Sequence, residues 1–246
     1  MQAAGLVLTS YQDSLSRALD IVANNVANAS TTGFKREDIQ FETLITRPTP
    51  TDQIDFGVDR GTFRDTAAGP LITTGNPLDV AIQGAGYFEI QTKGGIRYTR
   101  GGSFQLNGQG EVVTGSGEKL LGDGDQPITL PEDAQNIQVG ADGIVTVKSG
   151  TGISMEQVGK LKVVKFDREQ ELQSVGNGQY STSQPPKPSP DASIVQGMVE
   201  QSNVQSVNEI THMIGILRSY QQVVHMLDLE YQRQSSAISR LSKATA

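Results

Sequence analysis

The sequence predicts an α+β protein in which a discontinuous helical domain of coiled-coil character, built from both termini, carries an inserted all-β domain. Three observations predict it. All ten prolines lie between Pro48 and Pro190, leaving residues 1–47 and 191–246 without one. Twenty of the 27 glycines fall within 70–185. Both residue types break helices, so the ends are free to be helical while the middle is punctuated by turns. The third observation is periodicity, helical at both ends and alternating between them.

At the N-terminus, Leu8, Tyr11, Leu15, Ala18, Val22 and Val26 recur at steps of three or four, with Gln12, Asp13, Ser16, Arg17 and Asp20 in other positions. That is one apolar stripe on a helix. The stretch Asn28-Ala-Ser-Thr-Thr-Gly33 closes it, with Gly33 suited to a left-handed turn. Residues 1–36 thus form one half of the helical domain, and 37–69 a connector bearing Arg47-Pro-Thr-Pro-Thr51 as a stiff spacer.

The all-β domain spans 70–185. Leu78–Gln83, Tyr87–Gln91, Ile96–Arg100, Phe104–Leu106, Ile144–Val147 and Lys160–Phe166 read as strands. Gly84-Ala-Gly86, Gly94-Gly95, Asn107-Gly108, Asp123-Gly124 and Asp142-Gly143 read as the turns between them. A second connector, 186–191, overlaps the proline-rich run Pro185-Pro-Lys-Pro-Ser-Pro190.

Residues 192–246 supply the other half of the helical domain. Val204, Val207, Ile210, Ile214, Leu217, Val224, Leu227, Tyr231, Ile238 and Leu241 are spaced by three, four or seven, a heptad-like seam. A helix from about Asp191 to Ser242 would be roughly 75 Å long, too long for one small core. Its stripe must be covered by the N-terminal helix, by neighbouring subunits, or by both.

Composition narrows the function classes. The 246 residues carry 20 basic and 27 acidic side chains, a net charge of −7, which argues against nucleic-acid binding. There is no cysteine, hence no disulfide, thiolate metal site or cysteine nucleophile. His212 and His225 are the two histidines, and their spacing puts them about 220° apart around a helix, unsuited to a shared metal. No apolar run approaches the ~20 residues of a membrane helix, and no secretory signal is read at the start. Gly84-Ala-Gly86 does not complete a dinucleotide fingerprint because position 89 is Glu, and no P-loop is present. Gly122-Asp-Gly-Asp125 and Ala141-Asp-Gly143 lack the further ligands of a calcium loop. No enzyme, cofactor or metal is expected.

The sharper signal is Val22-Ala-Asn24-Asn25-Val26-Ala27-Asn28 followed by Ala-Ser-Thr-Thr-Gly33-Phe34-Lys35-Arg36. Asparagine is a mediocre helix former, so three in one amphipathic helix invite a reason. Packed between helices, amides fix register as a seam asparagine does in a coiled coil. Asn25 lies beside the apolar stripe, which favours that role; a solvated polar face is the plainer reading.

These residues resemble the N-terminal signature of the bacterial flagellar axial proteins. Ala23 to Arg36 fits the pattern throughout. A second match, Gly197-Met-Val-Glu-Gln-Ser-Asn203-Val204 with Val207, Glu209, Met213-Ile214 and Arg218-x-Tyr220, resembles the C-terminal signature of rod and hook proteins. Between them, Gly75-Asn-Pro-Leu-Asp-Val-Ala-Ile-Gln-Gly84 and Tyr98-Thr-Arg100-Gly-Gly-Ser103-Phe104 resemble the start of their β domain. Within the basal-body rod family, the short chain and Gln157-Val-Gly-Lys-Leu-Lys-Val-Val-Lys165 resemble the proximal rod members most, with distal rod proteins as the alternative.

The resemblance implies a structural subunit that passes unfolded through the flagellar type III export machinery. It implies assembly in the periplasm, with copies of itself and other rod proteins, into the shaft that carries torque. No nucleic acid and no membrane insertion are expected. The surface expected to meet other subunits comprises Leu8, Tyr11, Leu15, Val22, Asn24, Asn25, Asn28, Gly33 and Phe34, with Asn203, Val204, Val207, Ile210, Ile214, Leu217, Val224 and Leu227. The competing class is a cell-wall carbohydrate-binding or wall-cleaving β protein on a helical stalk. The unusual polar residues cluster in the terminal segments rather than the β loops, which favours the structural subunit.

Overall fold

The computed structural model describes residues 2–49, 52–149 and 155–244. The chain divides into two compact units: a helical unit of Met1–Ala27, Glu37–Asp65 and Gln205–Ala246, and a β unit of Asn28–Arg36 and Thr66–Val204. The α+β class therefore holds, with helices at the two ends and strands between.

The helical unit contains α1 (Gln2–Ala27), an antiparallel hairpin of β1 (Glu37–Thr49) and β2 (Asp52–Arg64), and α2 (Ser206–Ala244). At 39 residues α2 is about 58 Å long. Leu15, Ala18 and Val22 of α1 pack with Ile216 and Val223 of α2, flanked by Leu8, Leu19, Ile39, Met213, Tyr220 and Leu227.

The stripe that α2 turns to this seam is therefore Met213, Ile216, Tyr220, Val223 and Leu227. Of the expected seam, Leu227 lies on this stripe, whereas Val207, Ile210, Ile214 and Leu217 are 76%, 46%, 47% and 41% exposed. Helix α2 carries two apolar stripes about 120° apart, and spacing alone does not say which one α1 covers. The inner stripe is also disguised by its aromatic hydroxyl, Tyr220, and by a buried carboxylate, Glu209.

The expected connector 37–69 contains the β1–β2 hairpin instead of a plain spacer. Pro48 lies within β1, where the ladder register slips between Thr46 and Thr49, as befits a residue without an N–H. Pro50 and Thr51 of the expected spacer lie outside the described residues.

The strands of the β unit are β3 (Leu71–Thr73), β4 (Val80–Gln83), β5 (Tyr87–Thr92), β6 (Gly95–Thr99), β7 (Phe104–Leu106), β8 (Val112–Thr114), β9 (Lys119–Leu120) and β10 (Ala134–Val139). They continue with β11 (Ile144–Ser149), β12 (Met155–Lys160), β13 (Val163–Lys165), β14 (Gln173–Ser174), β15 (Gln179–Ser181), β16 (Lys187–Pro188), β17 (Ser193–Gln196) and β18 (Met198–Glu200). The largest sheet runs β14-β15-β6-β5-β9-β8-β7, with β13 joined to β5 and β16 to β13. A three-stranded sheet, β10-β11-β12, and two strand pairs, β17-β4 and β18-β3, complete the unit. Lys160–Phe166, expected as one strand, is split between β12 and β13.

The core of this unit is closed: Phe88, Ile90 and Val147 have no exposure, and Val80, Ile82, Leu120 and Ile194 pack with them. A second cluster joins Tyr87, Tyr98, Val164, Phe166, Leu172 and Tyr180, with Tyr98 edge-on to Phe166 at 4.7 Å.

The expected domain boundaries move accordingly. Residues 28–36 and 192–204, assigned by sequence to the helical domain, belong to the β unit. Freedom from proline permits a helix at 192–204 but does not impose one. Ser193-Ile-Val-Gln196 and Met198-Val-Glu200 find strand partners in β4 and β3. The connector 186–191 contributes β16, whose Pro188 offers no N–H along the edge of β13.

Candidate functional site

The three signature segments of the sequence meet inside the β unit. Glu200, on β18, is 1% exposed and faces two cations. Lys35 places its Nζ 2.6 Å from Oε1, and Arg100 its Nε 2.6 Å from Oε2. The Gly69 N–H donates to Oε1 at 2.9 Å. Arg100 spends its remaining donors on main-chain carbonyls: Nη1 on Gly86 at 2.6 Å, Nη2 on Gly84 at 2.6 Å and Ile82 at 3.2 Å. Lys35 also donates to the Ala67 carbonyl at 2.7 Å.

A buried ion cluster is tolerable only when its donors and lone pairs are met, and this one is thoroughly met. Burial, the largest single influence, pushes the Glu200 carboxyl up. The nearby Arg100 charge and the hydrogen bonds from Lys35 and Arg100 outweigh it and hold the carboxyl below its ordinary value.

Gly33 and Asn203 fasten the same junction. Gly33 adopts φ +70°, and a Cβ there would lie 2.4 Å from the Arg100 main chain. Its N–H donates to the Glu200 carbonyl at 2.8 Å. Asn203 accepts from the Arg36 N–H at 2.7 Å and donates to the Ala67 carbonyl at 3.1 Å. Phe34 and Val204 are buried at 6% and 8%. These four expected interface residues thus act within their own chain.

Asn25 does the equivalent in the helical unit. It has no exposure. Its Nδ2 donates to the Glu37 carbonyl at 2.7 Å, and its Oδ1 accepts the Glu37 N–H at 3.0 Å, as a neighbouring strand would. The same Nδ2 lies 3.2 Å from Glu209 Oε2 on α2. Glu37 reaches across the hairpin to Arg64 at 3.0 Å. Within the chain, Asn25 is thus a clamp joining α1, β1 and α2. Asn24 is exposed, and half-buried Asn28 accepts from the Thr31 hydroxyl at 3.2 Å. Gln12, read as lying off the stripe, donates to the Tyr220 hydroxyl at 3.0 Å.

The remaining expected residues divide cleanly. Leu15 and Val22 are buried in the α1–α2 seam, with Leu8 and Leu227 partly buried against it. Val224 is half-buried. Tyr11, Val207, Ile210, Ile214 and Leu217 face outward. Sequence reasoning missed Lys35, Arg100, Glu200, Glu37 and Glu209 as partners. Four of them, all but Glu37, lie within the quoted motifs, but Arg100 and Lys35 are 100 and 165 residues from Glu200, and no local spacing reveals such a pairing.

Among the described residues no group of three His, Cys, Asp or Glu side chains is placed to hold a metal. No helix among them is long and apolar enough to cross a membrane.

Family comparisons agree with this geometry. The model described as "Flagella basal body rod protein" matches residues 12–35. "Flagellar hook protein FlgE/F/G D1 domain" matches 81–147, and "Flagellar basal body rod FlgEFG protein C-terminal" matches 195–240. The chain is 41% identical over 240 residues to the flagellar basal-body rod protein FlgF of Caulobacter vibrioides, covering 95% of this chain and 96% of that one. It is 34% identical over 244 residues to FlgF of Mesorhizobium japonicum, with 98% of each covered. It is 33% identical over 227 residues to FlgG of Bacillus subtilis, with 82% and 85% covered. All three relatives are flagellar basal-body rod proteins. The chain belongs to the flagellar basal-body rod proteins, the structural subunits of the basal-body rod.

Proposed function

We propose that this subunit polymerises through its helical unit, as a proximal rod component, into the periplasmic shaft that carries motor torque. The observation that supports this most is the outer stripe of α2: Val207, Ile210, Ile214 and Leu217 stand exposed along a helix whose other stripe is already occupied. Four large apolar residues in one row are costly to leave in water, and a neighbouring subunit relieves that cost.

A receiving surface lies on the same unit. An open groove of about 570 Å³ is lined by Tyr11, Ala18, Ile21, Ile39, His212 and Ile216, among others. On α2, His212 and Ile216 fall roughly 160° from the outer stripe at 100° per residue. A stripe and a groove on opposite flanks suit a head-to-tail contact, and such contacts repeat into open helices rather than closing into dimers. In the assembled state the stripes would form a coiled-coil layer. The partners are then further copies and other rod proteins. Export through the flagellar type III machinery follows from the same reading, as does a proximal position, supported by the similarity to FlgF proteins.

The test is assembly by variants that leave the folded subunit alone. Ile210→Ser with Ile214→Ser removes the centre of the stripe at exposed positions, so the circular dichroism of the subunit should not change. Rod yield in basal bodies should fall to background. Normal rods from the double variant would refute the proposal.

A further inference from the structure

Completion of the β unit depends on residues that come very late in the chain. Strand β4 pairs with β17, and β3 with β18; both late strands lie within 193–200. Ile194 belongs to the central core and is 5% exposed. Gln196 ties distant segments together. Its Nε2 donates to the Pro77 carbonyl at 2.8 Å and the Ile137 carbonyl at 2.9 Å, and its Oε1 accepts the Val139 N–H at 3.2 Å. Further main-chain bonds run from Ile194 to Ala141, Gly197 to Asp79 and Gln201 to Pro70.

The electrostatics are more demanding than the strand pairing. Before Glu200 arrives, Lys35 and Arg100 lack the carboxylate that both of them touch in the folded unit. Any packing that takes these cations out of water without it breaks a shared ion pair, which is strongly disfavoured, so an early native-like core is opposed as well as incomplete. Loop closure over 100 and 165 residues must also come first.

We infer that Glu200, carried on β17–β18, is a folding latch: the β unit takes its native packing only when residues 193–204 dock, so folding waits for the near-completed chain. Helix α2 begins at Ser206, immediately after the latch, so the closed β unit and the polymerising helix become available together. For a chain that emerges N-terminus first, the device keeps residues 28–192 unpacked until the latch segment is out. That consequence rests on the export reading above; the latch itself does not, and it is tested on purified protein.

The experiment is refolding of the full chain from denaturant, with pulsed hydrogen exchange and tyrosine near-ultraviolet circular dichroism, recorded in a Tyr220→Phe background so that the signal reports the Tyr87, Tyr98 and Tyr180 cluster and not the α1–α2 seam. Amides of β4, β5 and β17 should gain protection at one common rate. Glu200→Ala should slow refolding about tenfold or more, because the latch contact is already present in the transition state. A second measurement covers the case in which that variant does not fold. A chain ending at residue 192 should lack the tyrosine signal. A peptide of residues 192–204 should restore it, and the same peptide carrying Glu200→Ala should not. Protection of β5 well before β17 would overturn the inference. So would an unchanged refolding rate with faster unfolding, or equal rescue by both peptides.

Discussion

The two units of this chain solve the burial problem in opposite ways. In the β unit, Ala81, Phe88, Ile90 and Val147 have no exposure, and even the charged cluster at Glu200 is sealed and paired. In the helical unit, one stripe of α2 is buried against α1 while the other stands 41–76% exposed from Val207 to Leu217. The first unit is sealed by its own chain. The second leaves a row of large apolar side chains uncovered by its own chain, and the chain passes from one unit to the other between Val204 and Gln205.

The largest blow to the comparison should come from Glu200→Ala. It leaves Lys35 and Arg100 buried without their shared carboxylate, at a cost of about 3–5 kcal/mol. Urea unfolding followed by tyrosine signals of the β unit should show the loss. Gly102→Ala should be comparably damaging, since a Cβ there would sit 1.6 Å from the Val80 carbonyl oxygen.

Acid should reproduce part of that effect. The folded Glu200 carboxyl sits below its ordinary value, so the unfolded chain takes up its proton first as the pH drops. Its stabilising contribution is complete above the unfolded value of about 4.3 and fades as the pH falls through the folded value. Urea midpoints measured from pH 7 to pH 3 should therefore decline at the acid end. In Glu200→Gln, that component of the decline should be absent.

Asn25→Leu should cost about 1–3 kcal/mol by stripping both main-chain groups of Glu37 of their partner. The loss should register in helical circular dichroism and leave the tyrosine transition of the β unit in place. Equal losses in both signals would mean that the two units do not behave as separate bodies. Gln12→Ala, which gives up one hydrogen bond to Tyr220, should cost about 1 kcal/mol or less.

Much of this architecture was legible in the sequence. Proline and glycine placement marked the helical ends and the β middle, and Phe104–Leu106 was read to the residue. What stayed hidden was non-local. The heptad count picks Leu227 from the inner stripe but takes Val207, Ile210, Ile214 and Leu217 in place of Met213, Ile216, Tyr220 and Val223, because it scores apolar residues and cannot see a partner helix. The sequence singles out Asn25 as a buried amide, but its bonds to the main chain of Glu37, twelve residues away, are set by the fold and not by helical spacing. Lys35, Arg100 and Glu200 sat unremarked inside recognisable motifs, because a motif shows that residues matter together only when they are near in sequence.

The most direct test of the central claim is a motility measurement that sets exposed apolar residues of the two units against each other. Cells would carry the chain with Ile210→Asp and Ile214→Asp, or with Leu106→Asp, exported at parental levels. Leu106 is 42% exposed on β7 of the β unit, close to the exposure of Ile210 and Ile214. The account predicts that Leu106→Asp swims like the parent while the double variant makes no rods and does not swim. Full swimming by the double variant would contradict it.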